Sequence, residues 1–282
     1  MISTTSRILL LIGLITISSS VFAQSVAYPW LRTYDLSECI KSRIGVPDGY
    51  QRVQVNAGSF ADWLRHLPLK KGKPPVLLFD KREKTNQAAH YAVIDIDVGE
   101  ADLQQCADAV IRLRAEYLYS RKEFSGIHFN FTSGDVAKFT KWIEGLRPIV
   151  SNNRVRWTQS ANRDSSYSTF CNYLTTVFTY AGSYSLSREC RAIGRSDDLR
   201  IGDIFIEGGF PGHAVIIVDM ALNAETGKTV LLLAQSYMPA QDIHVLVNNM
   251  VPQLSPWYEF DPQEELHTPE WKFARNTAMR LK

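Results

Sequence analysis

Apolar residues recur along this chain at two spacings, and the points where one gives way to the other outline its elements. Steps of three and four put Leu103, Cys106, Ala107, Val110, Leu113, Tyr117 and Leu118 on one face. This predicts an amphipathic helix over 102–119, with Asp102 placed to cap its first free N–H groups. A second such run, Phe170, Leu174, Val177, Phe178 and Ala181, predicts a helix over 168–181, and Gly182 is placed to end it in a left-handed conformation. Shorter helices are expected at 60–67 between Ser59 and Pro68, from Ser133-Gly134-Asp135 to Leu146, at 185–193, and near Pro269.

Between these runs the period falls to two or the apolar residues become continuous. Residues 91–98 alternate Ala92, Ile94 and Ile96 against Val93, Asp95 and Asp97, which predicts a half-buried strand. Short strands are expected at 76–79 and 127–131, and three more at 203–206, 214–222 and 229–234. The connection 223–228, with Gly227, is short enough to close the last two into a hairpin. The first stretch, 24–58, is irregular apart from a turn at Pro47-Asp48-Gly49. With no internal repeat and no linker, residues 24–282 form one α+β unit in which an antiparallel sheet packs against helices.

The N-terminus has a different pattern. Arg7 precedes an apolar run from Ile8 to Ile17, followed by three serines and Val21-Phe22-Ala23. A basic start, a short apolar core and small residues before a cut are the parts of a secretory signal peptide, expected to be removed after Ala23. The run is short of the ~20 residues that span a bilayer. The mature chain is therefore expected in the periplasm of a bacterial-type cell, or secreted, with no membrane attachment. At 45% hydrophobic and 21% charged residues it has the composition of a folded globular protein. A net charge of +2, or +1 without Arg7, gives no electrostatic footprint for nucleic acid. Outside the cytoplasm the four cysteines, Cys39, Cys106, Cys171 and Cys190, permit two disulfides whose pairing the sequence leaves open.

The chemistry-bearing stretch is Gly208-Gly209-Phe210-Pro211-Gly212-His213. Three glycines and a proline shape a loop that presents His213 at the start of a strand. The 223–228 hairpin brings the start of that strand beside the end of the next, so Gln235 or Ser236 is expected to orient the imidazole. An oriented imidazole is a general base near neutral pH, and its natural partner is a thiol at a helix N-terminus, where the dipole favours thiolate. Cys106 and Cys171 both occupy such positions. Gln104 and Gln105 place amide donors beside Cys106, and Gln105 and Gln241 are further candidates for holding substrate. Asp95 and Asp97 read as a solvated strand face, and Asp108 with Arg112, four apart on a helix, as a surface ion pair. Trp63 and Trp142 read as core. No phosphate loop, zinc spacing or other cofactor motif is present.

Two resemblances bear on this. Cys171-Asn172-Tyr173-Leu174 to Tyr180-Ala181-Gly182, with Gly202-Asp203 and then His213, resembles the NlpC-type, papain-like cell-wall peptidases. The chain departs from their pattern in lacking Asp-Cys-Ser-Gly. The whole chain resembles an uncharacterised family of secreted bacterial proteins, a domain of unknown function. The resemblance rests on Asp102-Leu103-Gln104-Gln105-Cys106-Ala107, Ile127-His128-Phe129-Asn130-Phe131, Gly209-Phe210-Pro211-Gly212-His213 and Ala234-Gln235-Ser236-Tyr237-Met238-Pro239-Ala240-Gln241. That family's pattern includes Cys106 and His213 and does not require Cys171. The first resemblance implies a papain-like fold and a cysteine hydrolase acting on cell-wall peptides, whereas the second family has no established activity to carry over. The alternative is a binding protein of that fold holding a wall peptide or glycan.

Overall fold

A computed structural model describes residues 28–194, 199–261 and 263–282. The expected signal peptide, 1–23, lies outside the described residues. Among those described, nine strands form one antiparallel sheet: β1 Gln51–Arg52, β2 His90–Val93, β3 Arg191–Ala192, β4 Ile204–Glu207, β5 His213–Leu222, β6 Thr229–Gln235, β7 His244–Leu246, β8 Trp257–Glu259 and β9 Ala278–Arg280. Their order is β2-β7-β6-β5-β4-β9-β3, with β1 added on β5 and β8 on β6. The helices that matter here are α1 Phe60–Arg65, α2 Cys106–Ser120, α3 Phe139–Ile143, α4 Tyr167–Tyr180 and α5 Ser183–Glu189.

The β5–β6 hairpin is the axis of the molecule. Every residue of β5 from His213 to Ala221 is buried, as is β6 from Val230 to Gln235. A strand covered on both faces loses the alternation of a half-exposed one, which is why Ala-Val-Ile-Ile-Val runs without a break. Helices α1 and α2 pack against β5. Each buried Leu or Ile of this core contributes about 1.5–3 kcal/mol relative to exposure. Trp63 and Trp142 belong to the core, as expected.

A charged knot crosses this layer. Asp219, fully buried on β5, accepts from Arg52 Nε at 2.6 Å and Arg65 Nε at 2.7 Å, tying β1 and α1 to the sheet. It sits where the register shifts: Leu232 pairs with Asp219 and Leu233 with Ile217, so Val218 is the extra residue of a bulge.

Several elements differ from the sequence expectation, each for a local reason. Helix α2 starts at Cys106 rather than 102, because the Asp102 carboxylate is taken by the Ala240 N–H and by Gln105 Nε2. Asp108 Oδ2 instead accepts from the Gln105 N–H at the helix start. The helix expected from Ser133 is a tight turn between strands His128–Asn130 and Val136–Lys138, with Gly134 at φ 92°, followed by the short α3. Segment 76–79 makes only isolated bridges. Gly182 is extended, at φ 172°, and precedes α5, which covers 183–189 rather than 185–193. Near Pro269 there is no helix; Thr268 and Trp271 close a turn between Leu266–His267 and Lys272–Phe273. Asp108 and Arg112 are both buried and do not pair at the surface.

Candidate functional site

Helix α2 delivers Cys106 as its first residue, and β5 begins with His213 directly beside it. The thiol lies 4.0 Å from the Gly212 carbonyl, and the Ala214 N–H is directed at its sulfur, so the backbone on both sides of His213 touches Cys106. The glycine loop permits this approach. A Cβ on Gly212 would stand 2.3 Å from Ser183 Oγ and 2.6 Å from the Gly209 carbonyl, and one on Gly208 2.3 Å from Ser187 Oγ.

The hairpin parity resolves the choice between the two orienting residues. His213 Nε2 is 2.8 Å from Gln235 Oε1. Ser236 points elsewhere, its hydroxyl lying within hydrogen-bond distance of the Gln241 carbonyl at 2.8 Å and the Gln104 carbonyl at 3.0 Å. Because Oε1 only accepts, His213 Nε2 carries the proton and Nδ1 holds a lone pair. That Nδ1 is buried and has no hydrogen-bond partner. The ring is stacked on Phe273 and edged by Tyr237 and Trp271, with centroids 4.9–5.7 Å away.

Other unpartnered buried atoms belong to the same end of α2. Gln104 Oε1 accepts from Arg112 Nη1 at 3.1 Å, which leaves its Nε2 as the free end, and that amide has no partner. Arg112 is in turn held by Glu116 at 2.7 Å, and Tyr167 donates to the same carboxylate oxygen. Gln241 Nε2 and Asp108 Oδ1 are likewise buried without partners. A buried polar atom left unpaired costs about 1–3 kcal/mol. Buried polar groups are paired as a rule, so an unpaired Gln104 or Gln241 amide is open to a polar ligand.

Burial controls the charge states. Cys106 is 5% exposed and His213 fully buried. Desolvation pushes the thiol up to about 11, against the pull of the Ala214 N–H, and the imidazole down to about 4, against the Gln235 hydrogen bond. At neutral pH the pair is therefore a thiol and a neutral imidazole. Desolvation also pushes Asp108 up to about 8.

The other expected residues fall as follows. Cys171 lies in the first turns of α4, where its charged form would feel Arg112, Glu116 and Tyr167; no hydrogen bond joins it to His213 among the described residues. Burial raises its pKa as well. Gln105 is half-buried and donates to Asp102 at 3.0 Å. All four cysteines are free, so the disulfides that an oxidising compartment permits are not formed. Asp95 and Asp97 join no metal-ligating cluster among the described residues. A cavity of about 1130 Å³ lined by Phe205, Met220, Phe260 and Arg275 lies elsewhere, and none of Cys106, His213 and Gln235 borders it.

Two residues that sequence reasoning missed complete the site. Glu270, from the Thr268–Trp271 turn, accepts from Gln235 Nε2 at 2.9 Å and from Lys84 Nζ at 2.5 Å. No local pattern marks either residue, since 186 positions separate Lys84 from Glu270.

Fold and site define a mixed α/β protein with one dominant antiparallel sheet, a buried imidazole hydrogen-bonded to a glutamine amide, and a buried thiol against the backbone beside that histidine. The chain belongs to the family described as a domain of unknown function (4846), whose model matches residues 40–280. No curated protein and no solved structure matches it. Among the described residues no helix is long and apolar enough to cross a membrane.

Proposed function

We propose that this protein is a papain-like cysteine hydrolase, exported by its N-terminal leader, that cleaves amide bonds of cell-wall-type peptides. The observation that carries the reading is the orphaned Nδ1 of His213. Gln235 fixes the ring with its proton on Nε2, the other nitrogen is buried without a partner, and the Cys106 sulfur touches the backbone on both sides of this histidine with no direct hydrogen bond to the ring. The order helix with Cys, strand with His, strand with amide is that of papain-like enzymes. This fold-level analogy supplies the reaction class and not the substrate.

The step follows from the groups present. As the Cys106 sulfur attacks an amide carbonyl, its proton passes to His213 Nδ1 and the carbonyl electron pair moves onto oxygen. The free amide of Gln104, aimed by Arg112, donates to that oxygen. Collapse expels the amine, which takes the proton from Nδ1 and leaves a thioester on Cys106. Water, deprotonated by the same nitrogen, then adds to the thioester carbonyl; the C–S bond breaks, the acid leaves and the proton on Nδ1 returns to the Cys106 sulfur. Because thiol and imidazole are both neutral at rest, proton transfer accompanies attack. Both groups are also shut from solvent, so substrate entry requires the Gly208–Gly212 loop or the Tyr237–Ala240 segment to yield.

A second reading rests on that same burial. His213 is packed among Tyr237, Trp271 and Phe273 with no exposed surface, and the loop beside it presents Phe210 at 95% exposure. In this reading the protein binds a wall peptide or glycan at that rim without cleaving it. Incubation with isolated peptidoglycan and with its soluble peptides separates the two. Hydrolysis predicts new amine termini with wild type and none with Cys106→Ala. Retention on the peptidoglycan with no new termini, equal in both proteins, selects the binder.

A further inference from the structure

The lone pair on His213 Nδ1 exists only if the Gln235 amide faces one way. Turned over, its NH2 would meet His213 Nε2, and the proton would move to Nδ1, the wrong nitrogen for a base. A glutamine end is nearly symmetric in shape, so packing alone does not choose. The choice is made by what faces Gln235 Nε2.

Two acceptors face it. His244 Nδ1 is 2.9 Å from the Asp242 carbonyl, which only accepts, so that nitrogen carries the proton and His244 Nε2 is a lone pair. That Nε2 is 3.5 Å from Gln235 Nε2. On the other side stands Glu270 Oε2 at 2.9 Å, anchored by Lys84 Nζ at 2.5 Å. The carboxylate and ammonium side chains are only 11% and 7% exposed, so water does not substitute for them. Glu270 is itself held in place: Tyr237 OH donates to its carbonyl at 3.3 Å, and Glu207 accepts from the next residue, Trp271, through its indole Nε1 at 3.1 Å. Turning Gln235 over would set its carbonyl oxygen against a carboxylate and an imidazole lone pair.

We infer that Glu270, backed by Lys84 and assisted by His244, is the positioning residue that locks the Gln235 amide and so dictates which nitrogen of His213 is the free base. The catalytic consequence rests on the hydrolase reading above; the tautomer itself is a property of the resting protein and is testable without turnover. Glu270 touches neither the thiol nor the imidazole and acts only through Gln235.

The tautomer is read by long-range proton–nitrogen correlation spectra of protein labelled with 15N at its six histidines, with His213 assigned from the spectrum of His213→Gln. Wild type should show His213 as the Nε2–H form alone. Glu270→Ala should give a mixture containing the Nδ1–H form, and Lys84→Met/Glu270→Ala the same mixture without an unpaired buried charge, which covers a failure of the single variant to fold. Glu270→Gln, whose amide oxygen can occupy the Oε2 position, should keep the single form. An Nδ1–H form in wild type, or an unchanged spectrum in the double variant, overturns the inference. If the spectra shift as stated while Cys106→Ala proves indistinguishable from wild type on peptidoglycan, the hydrolase reading fails and the positioning role stands.

Discussion

Replacing Asp219 with Ala removes the one carboxylate that two guanidinium groups share at the centre of the fold. Asp219 is fully buried, Arg65 is 6% and Arg52 20% exposed at the side chain, and Asp219 Oδ1 also accepts from the Met220 N–H beside the bulge. The lost attraction is only part of the cost. Arg65, which also donates to the Val53 carbonyl at 2.9 Å, would be left as a buried cation without its carboxylate, and breaking such a pair costs about 3–5 kcal/mol. Arg52 keeps its bond to the Ile44 carbonyl and one-fifth of its side-chain surface, so its share is smaller. A domain of this kind has about 5–15 kcal/mol of stability in total, so the variant should lose a large fraction of it. Urea unfolding followed by tryptophan fluorescence measures this directly, and Asp219→Ala/Arg65→Met should recover more than half of the loss by removing the stranded charge. A loss below about 1 kcal/mol, or a double variant less stable than the single one, would refute the argument that the knot is held by charge pairing in a dry interior.

Two further outcomes follow from the site. His213 binds its proton far more weakly folded, at about 4, than the ordinary value of 6.5. Its contribution to stability is therefore present above pH 6.5 and lost as pH falls through 4, by about 3 kcal/mol at about 1.4 kcal/mol per unit. Protonation of Asp108, raised to about 8, acts in the opposite sense, so the effect is read as the difference in urea stability between wild type and His213→Gln across pH 7 to 4. A difference that does not change with pH contradicts a buried neutral ring. Separately, Gly212→Ala pushes a methyl group into Ser183 Oγ and two carbonyls, which should cost about 1–3 kcal/mol and speed alkylation of Cys106 by loosening the backbone against its sulfur. Unchanged midpoint and rate would show that the loop gives way freely.

How much of this was legible in the sequence depends on how far the deciding partner lies along the chain. The β4, β5 and β6 strands and the 223–228 hairpin emerge close to where continuous apolar runs placed them, because local pattern and burial agree there. From that hairpin the neighbourhood of His213 and Gln235 followed, with parity left to the register. The start of α2 was misplaced because Asp102, a good cap by local rules, is claimed by Ala240, 138 positions away. The Leu146–Ser151 and Arg154–Gln159 hairpin went unread, although Asn152 and Asn153, both at positive φ, are the residues such a two-residue turn favours. Pro269 suits both the first turn of a helix and the second position of a tight turn, and only Trp271 packing against His213 and bonding to Glu207 decides for the turn. Lys84 and Glu270 carry no local signal; their pairing is a product of the fold alone. An even number of cysteines permits disulfides, but pairing is decided by the fold, and all four cysteines are free.

The most direct test of the account is to look for an acyl group on one sulfur. Wild-type protein mixed with an activated ester such as a p-nitrophenyl acyl ester, quenched in acid and weighed intact, should gain a single acyl mass that peptide mapping places on Cys106. Cys106→Ala should gain none, and His213→Gln far less. Acyl groups spread over Cys39, Cys171 and Cys190, or an equal yield without His213, would contradict the claim that this thiol and this imidazole work as a pair.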